Sequence, residues 1–125
     1  MTRLIVTTNH REAPLHAASG WMYIIDLEGR KILQVTEGVE PPNRAHDHNP
    51  RGGMRGLRGI SICNGKLAVA GYSAVFFFDW HWNLIRSFTH PSVSAIHEIL
   101  LVEDGLWVTS TANDMLVKFD QAGRL

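Results

Sequence analysis

The chain alternates short apolar runs with polar or glycine-bearing turns, and its second half does so twice in the same order. Arg58-Gly59-Ile60-Ser61-Ile62 and His97-Glu98-Ile99-Leu100-Leu101 open the two copies, each a polar residue followed by β-forming ones. A turn dipeptide comes next in both, Asn64-Gly65 and Asp104-Gly105. Such pairs between apolar runs predict type I′ hairpins, whose two central positions need φ > 0. Lys66-Leu67-Ala68-Val69-Ala70 and Leu106-Trp107-Val108-Thr109-Ser110 are the second strands. The third strands, Val75 to Asp79 and Met115 to Asp120, both end in Phe-Asp. A turn follows each aspartate. The first copy then completes a fourth strand, Leu84-Ile85-Arg86-Ser87-Phe88, whereas the second reaches Arg124-Leu125 where that strand would begin.

The first part of the chain repeats the pattern incompletely. Arg3 to Thr8 matches Lys66 to Ala70, and a loop rich in alanine and histidine follows from His10 to Gly20. Trp21 to Asp26 is then a third strand, the turn Leu27-Glu28-Gly29-Arg30 parallels the segment after Asp120, and Lys31 to Thr36 is a fourth strand. The opening strand of this unit is missing. Residues 38–56 break the rhythm with Pro41, Pro42, Pro50 and His46-Asp47-His48, a composition that excludes a central strand.

Arg58 and His97 lie 39 residues apart. A period of about 40–45 residues with four short strands per unit is the pattern of β-propeller blades. Blades pack on both faces, which explains why Val75 to Phe78 is apolar throughout instead of alternating. The competing architecture is a β-sandwich holding two similar hairpin pairs. The propeller reading makes the chain a single all-β domain: a partial blade at 1–37, a loop at 38–56, a blade at 57–90 and a partial blade at 95–125. That is about half of a six-bladed ring. An unclosed stack of sheets exposes two broad apolar faces, so the expected resolution is self-association, two copies closing one ring about a two-fold axis. The alternative partner is another chain carrying the remaining blades.

Composition and charge narrow the function classes. With 125 residues, 45% of them apolar, the chain is long enough for one compact core. Twelve basic and twelve acidic residues balance to zero, so nucleic acid is not an expected partner. No apolar run approaches the roughly 20 residues of a membrane helix, and no charged-then-apolar leader opens the chain. A membrane partner is therefore not expected, and the default location is cytoplasmic. Cys63 is the single cysteine, with no internal disulfide partner, and is expected as a small buried apolar residue.

The runs Ile25-Asp26-Leu27-Glu28-Gly29 and Phe119-Asp120-Gln121-Ala122-Gly123 resemble six-bladed propellers of the NHL and arylsulfotransferase-like kind. The resemblance implies a central channel with a ligand site on one face. It does not imply an activity, because this fold hosts lactonases, sulfotransferases, lyases and binding scaffolds. The acidic and asparagine metal ligands of lactonase-type propellers have no evident counterparts here.

Inner strands line the channel, so Arg58 and His97 at their entrances, with Arg55 just before, form a candidate rim for a small anionic ligand. Arginine suits carboxylate, sulfate or phosphate through its planar fork of donors. The alternative is that these side chains only satisfy carbonyls between blades. His46 and His48 are candidate ligands for a divalent metal, with His97 or His90 as the third, against the alternative of solvated loop histidines. No catalytic residue is assigned, since no nucleophile sits in a recognisable setting. Glu98 follows His97 directly and, on a regular strand, points to the opposite face. Trp80 and Trp82 fall in a turn at a blade's edge and are candidates for contact with another chain. Asp26, Asp79 and Asp120 recur at one position of each unit and are expected to bond turn amides. The favoured function is a propeller-type binding or interaction module that forms a homo-oligomer. The second reading is a propeller-type hydrolase or transferase using a histidine-bound metal or histidine acid–base chemistry.

Overall fold

In the computed structural model, residues 1–10, 14, 20–37 and 56–125 are described. They form three antiparallel sheets. The first holds β1 (Arg3–Thr7), β2 (Trp21–Asp26) and β3 (Lys31–Glu37) in that order. The second holds β4 (Ile60–Cys63), β5 (Lys66–Ala70), β6 (Val75–Phe78) and β7 (Leu84–Phe88), and the third β8 (Ile96–Val102), β9 (Gly105–Ser110) and β10 (Met115–Asp120). Each strand pairs with its sequence neighbour. Among the described residues the sheets hold three, four and three strands, the count expected from the repeat.

The second sheet lies between the other two, and its side chains divide by parity. Leu67, Val69, Phe76 and Phe78 share one buried cluster with Met22 of the first sheet, flanked by Ile5 and Ile24. Ala68, Ala70, Val75 and Phe77 share the other with Ile96, Ile99, Leu106, Val108, Val117 and Phe119 of the third. Every residue of β6 is buried for this reason. Two-sided burial, rather than a helical or sandwich period, produced the unbroken Val-Phe-Phe-Phe run.

Turn chemistry follows the sequence at one hairpin and departs from it at the other. Asn64 and Gly65 have φ of 48° and 74°, the left-handed pair a type I′ turn requires. The β8–β9 hairpin instead turns through Glu103-Asp104, and Gly105 already pairs with Val102. Gly105 is needed for space: a Cβ there would lie 1.9 Å from the carbonyl oxygen of Phe119 on β10. The aspartates behave as expected. Asp26 Oδ1 accepts from the Gly29 amide at 3.0 Å. Asp79 Oδ1 takes the amides of His81 and Asn83, and Asp120 Oδ1 those of Ala122 and Arg124, at 2.8–2.9 Å. The turns after the second and third sheets' third strands are thus the same Asx construction.

Trp82 requires a correction. Its φ of 63° swings the indole back beneath the sheet. There it is 8% exposed and meets Phe78 edge-on, with ring centroids 5.8 Å apart. It is core of this chain, not a surface for another. Trp80, by contrast, is 47% exposed.

Candidate functional site

Arg58 sits just before β4 rather than on it, and its backbone is held from both sides. Its amide donates to the Ala70 carbonyl at 2.8 Å, and its carbonyl accepts from Thr7 Oγ1 at 2.6 Å. Next to it, Gly59 donates to the His97 carbonyl at 3.2 Å. Here the backbones of the second and third sheets meet at their inner strands. A Cβ on Gly59 would lie 3.0 Å from Glu98 Cα, the His97 oxygen and the Ile99 nitrogen at once. Glycine here lets two backbones touch.

His97 and Glu98 fall within a register irregularity between Ile96 and Ile99. Both of their amides donate to Thr109 Oγ1, at 3.3 and 2.9 Å, two residues served by one partner as in a β-bulge. The strict alternation expected of a regular strand does not hold at this pair. The bulge brings His97 over Arg58. One guanidinium nitrogen, Nη1, lies 3.0 Å from Nδ1 and 2.9 Å from Nε2. A single nitrogen cannot meet both ring lone pairs in the imidazole plane, so the guanidinium rests against the ring face. These two matched positions are therefore in direct contact, with His97 exposed and Arg58 half-buried. Chemically the stack offers a guanidinium plane and an imidazole to an anion approaching the inner ends of two blades.

The other predicted residues separate from this pair. Arg55, His46 and His48 lie outside the described residues. Among the described residues no three histidine, cysteine or acidic side chains converge as a metal site would need. His90 is engaged structurally: its Nδ1 accepts the Ser92 amide at 3.1 Å and its ring packs 5.0 Å from Phe119.

A second feature gave little sign in the sequence. At the opposite end of the blades, where the β4–β5 and β8–β9 turns lie, a cleft of about 390 Å³ opens between the second and third sheets. Cys63, expected to be buried, is half-exposed and lines it, together with Lys66, Arg86 and Trp80. Only the sheet registers reveal this grouping. Lys66 pairs with Cys63, and Arg86 with Phe77, so residues far apart in the chain share one face.

These sheets, stacked face to face with inner strands in contact, are β-propeller blades, and comparison with known structures agrees. The crystal structure of Saccharomyces cerevisiae Sqt1, a WD40 β-propeller, is similar with a TM-score of 0.61 at 14% identity, over 83% of this chain and 27% of that one. At that identity the likeness is one of fold. The chain spans about a quarter of the length of Sqt1. No family model matches the chain, and no curated protein matches it. Among the described residues no helix is long and apolar enough to cross a membrane.

Proposed function

We propose that the chain is a propeller-type interaction module that pairs with a second copy to close its ring and presents the Arg58–His97 rim to a small anionic ligand. The observation that carries this is the pair of uncovered sheet faces. On the first sheet the cross-strand rows Leu4–Ile25–Ile32 and Val6–Tyr23–Val35 have the parity opposite to the buried Met22 and the partly buried Ile24. Leu4, Ile32 and Val35 are 42%, 58% and 52% exposed. On the third sheet Leu100 pairs with Trp107 on the outward face, and Leu116 beside them is 66% exposed. These are the same kind of surfaces that bury the middle sheet on both sides, and apolar patches of this extent mark interaction sites.

Two copies related by a two-fold axis set the third sheet of each against the first sheet of the other, burying both faces twice. A separate chain carrying further blades would cover the same surfaces. Within propellers, the Ile-Asp and Phe-Asp turns support the NHL and arylsulfotransferase-like kind. Light scattering on the purified chain tests the reading. The expected mass is twice 14.0 kDa, falling to 14.0 kDa in Ile32→Lys. A monomeric parent chain with uncovered faces would refute the two-copy ring.

A further inference from the structure

We infer that the cleft between the second and third sheets, at the end away from Arg58 and His97, binds a small amphipathic monocarboxylate. Its volume, about 390 Å³, falls in the range of small-molecule sites. Its floor is apolar, built by Phe77, Leu101 and Leu106. Over that floor stand two cations, Lys66 on β5 and Arg86 on β7, from the strands that flank β6. The Arg86 guanidinium carbon lies 4.5 Å from the centroid of the Phe77 ring, so the plane is steadied by the aromatic face. Lys66 comes from β5 on the same side, since Lys66 and Ala68 share parity and Ala68 pairs with Phe77.

Asp79 and Asp120 also line the cleft, but their carboxylate oxygens are engaged by their own turns and not by these cations. Asp79 is filled by the His81 and Asn83 amides and by Asn83 Nδ2. Asp120 is filled by two turn amides and by Arg124, whose Nε and Nη2 each lie 2.8 Å from Oδ2. Among the described residues neither Lys66 nor Arg86 has an ion-pair partner. Glu103 on the facing turn is the carboxylate left at the cleft, and it disfavours a second negative charge on the ligand. A free inorganic anion would leave the apolar floor wet, and a neutral apolar molecule would leave the guanidinium unmet. A carboxylate on a short apolar body satisfies both. The site is independent of ring closure, because it lies between two sheets of one chain.

Cys63 provides the test, being the single thiol of the chain and part of the cleft wall. The rate of its alkylation by iodoacetamide is followed by intact mass, with hexanoate or its neutral counterpart hexanol added. A ligand that covers the thiol slows the reaction by 1 + [L]/Kd, about tenfold at ten times Kd. Saturable protection by hexanoate, weak protection by hexanol, and loss of the hexanoate effect in Arg86→Met and Lys66→Met are expected. Methionine keeps an apolar stem at both exposed positions while removing the charge and its N–H donors. Absence of protection at millimolar hexanoate, equal protection by hexanol, or protection unchanged in both variants would overturn the assignment. The measurement stands whether the chain is monomer or dimer, so its failure is separable from that of the ring.

Discussion

The indole of Trp82 carries a polar group that the structure leaves unanswered: its Nε1 is buried with no hydrogen-bond partner. Two substitutions separate what the ring contributes from what this donor costs. Trp82→Ala removes a nearly buried aromatic and leaves a cavity beside Phe78, a loss of about 3–5 kcal/mol. Trp82→Phe keeps an aromatic ring in contact with Phe78. It gives up roughly 50 Å² of apolar surface, about 1 kcal/mol. It also removes the unpartnered donor, whose burial costs about 1–3 kcal/mol. The φ of 63° is shared by all three side chains and cancels. The phenylalanine variant is therefore expected to be as stable as the parent or up to about 2 kcal/mol more stable. Urea unfolding followed by far-ultraviolet circular dichroism reads this without relying on the fluorescence of four tryptophans. If Trp82→Phe unfolds as readily as Trp82→Ala, Nε1 has a partner and the reasoning fails.

Other expectations follow from contacts already described. Gly59→Val should force β4 off β8, costing upwards of about 2 kcal/mol and displacing Arg58 from His97, with histidine ring chemical shifts as the readout. Gly65→Ala meets open space but adopts a φ of 74°, so the loss should be only about 1–2 kcal/mol, measured by thermal unfolding. The Asn83 side chain and amide hold the Asp79 carboxyl below its ordinary 3.8, and the Arg124 amide and side chain do the same for Asp120. Each contributes stability that is complete above that ordinary value and lost as pH falls through the lowered folded one. The double variant Asp79→Asn/Asp120→Asn should thus lose stability at neutral pH and show a flatter decline below about pH 4. An acid limb unchanged from the parent would remove the assigned role.

Much of the architecture was legible because blades impose local rules. The Phe-Asp endings marked the third strands, since an aspartate there accepts its own turn's amides whatever surrounds it. The unbroken Val75-Phe76-Phe77-Phe78 run announced a sheet covered on both sides. What failed to show depended on relations across strands. Asp104-Gly105 has the composition of a type I′ turn, yet its glycine answers to a carbonyl on β10, more than ten residues away in sequence. Trp82 read as a surface residue because nothing in a turn sequence foretells a left-handed φ on tryptophan. Arg58 and His97 were matched by position, but their stacking required the bulge at His97-Glu98, which no residue type specifies. The cleft at Cys63, Lys66 and Arg86 was invisible for the same reason: register, not order, assembles it.

The division of the middle sheet into two separate apolar clusters bears on how the chain comes apart. One cluster joins the first sheet to the second and the other joins the second to the third, and among the described residues no buried one is common to both. Each carries its own share of the cooperativity, as in arrays whose units touch only their neighbours. The Met22 cluster, to which the first sheet contributes one fully buried residue, should open at lower denaturant than the Phe119 cluster. Amide exchange would then report two protection classes, with β1 to β3 exchanging through a partially unfolded species in which the remaining sheets stay intact.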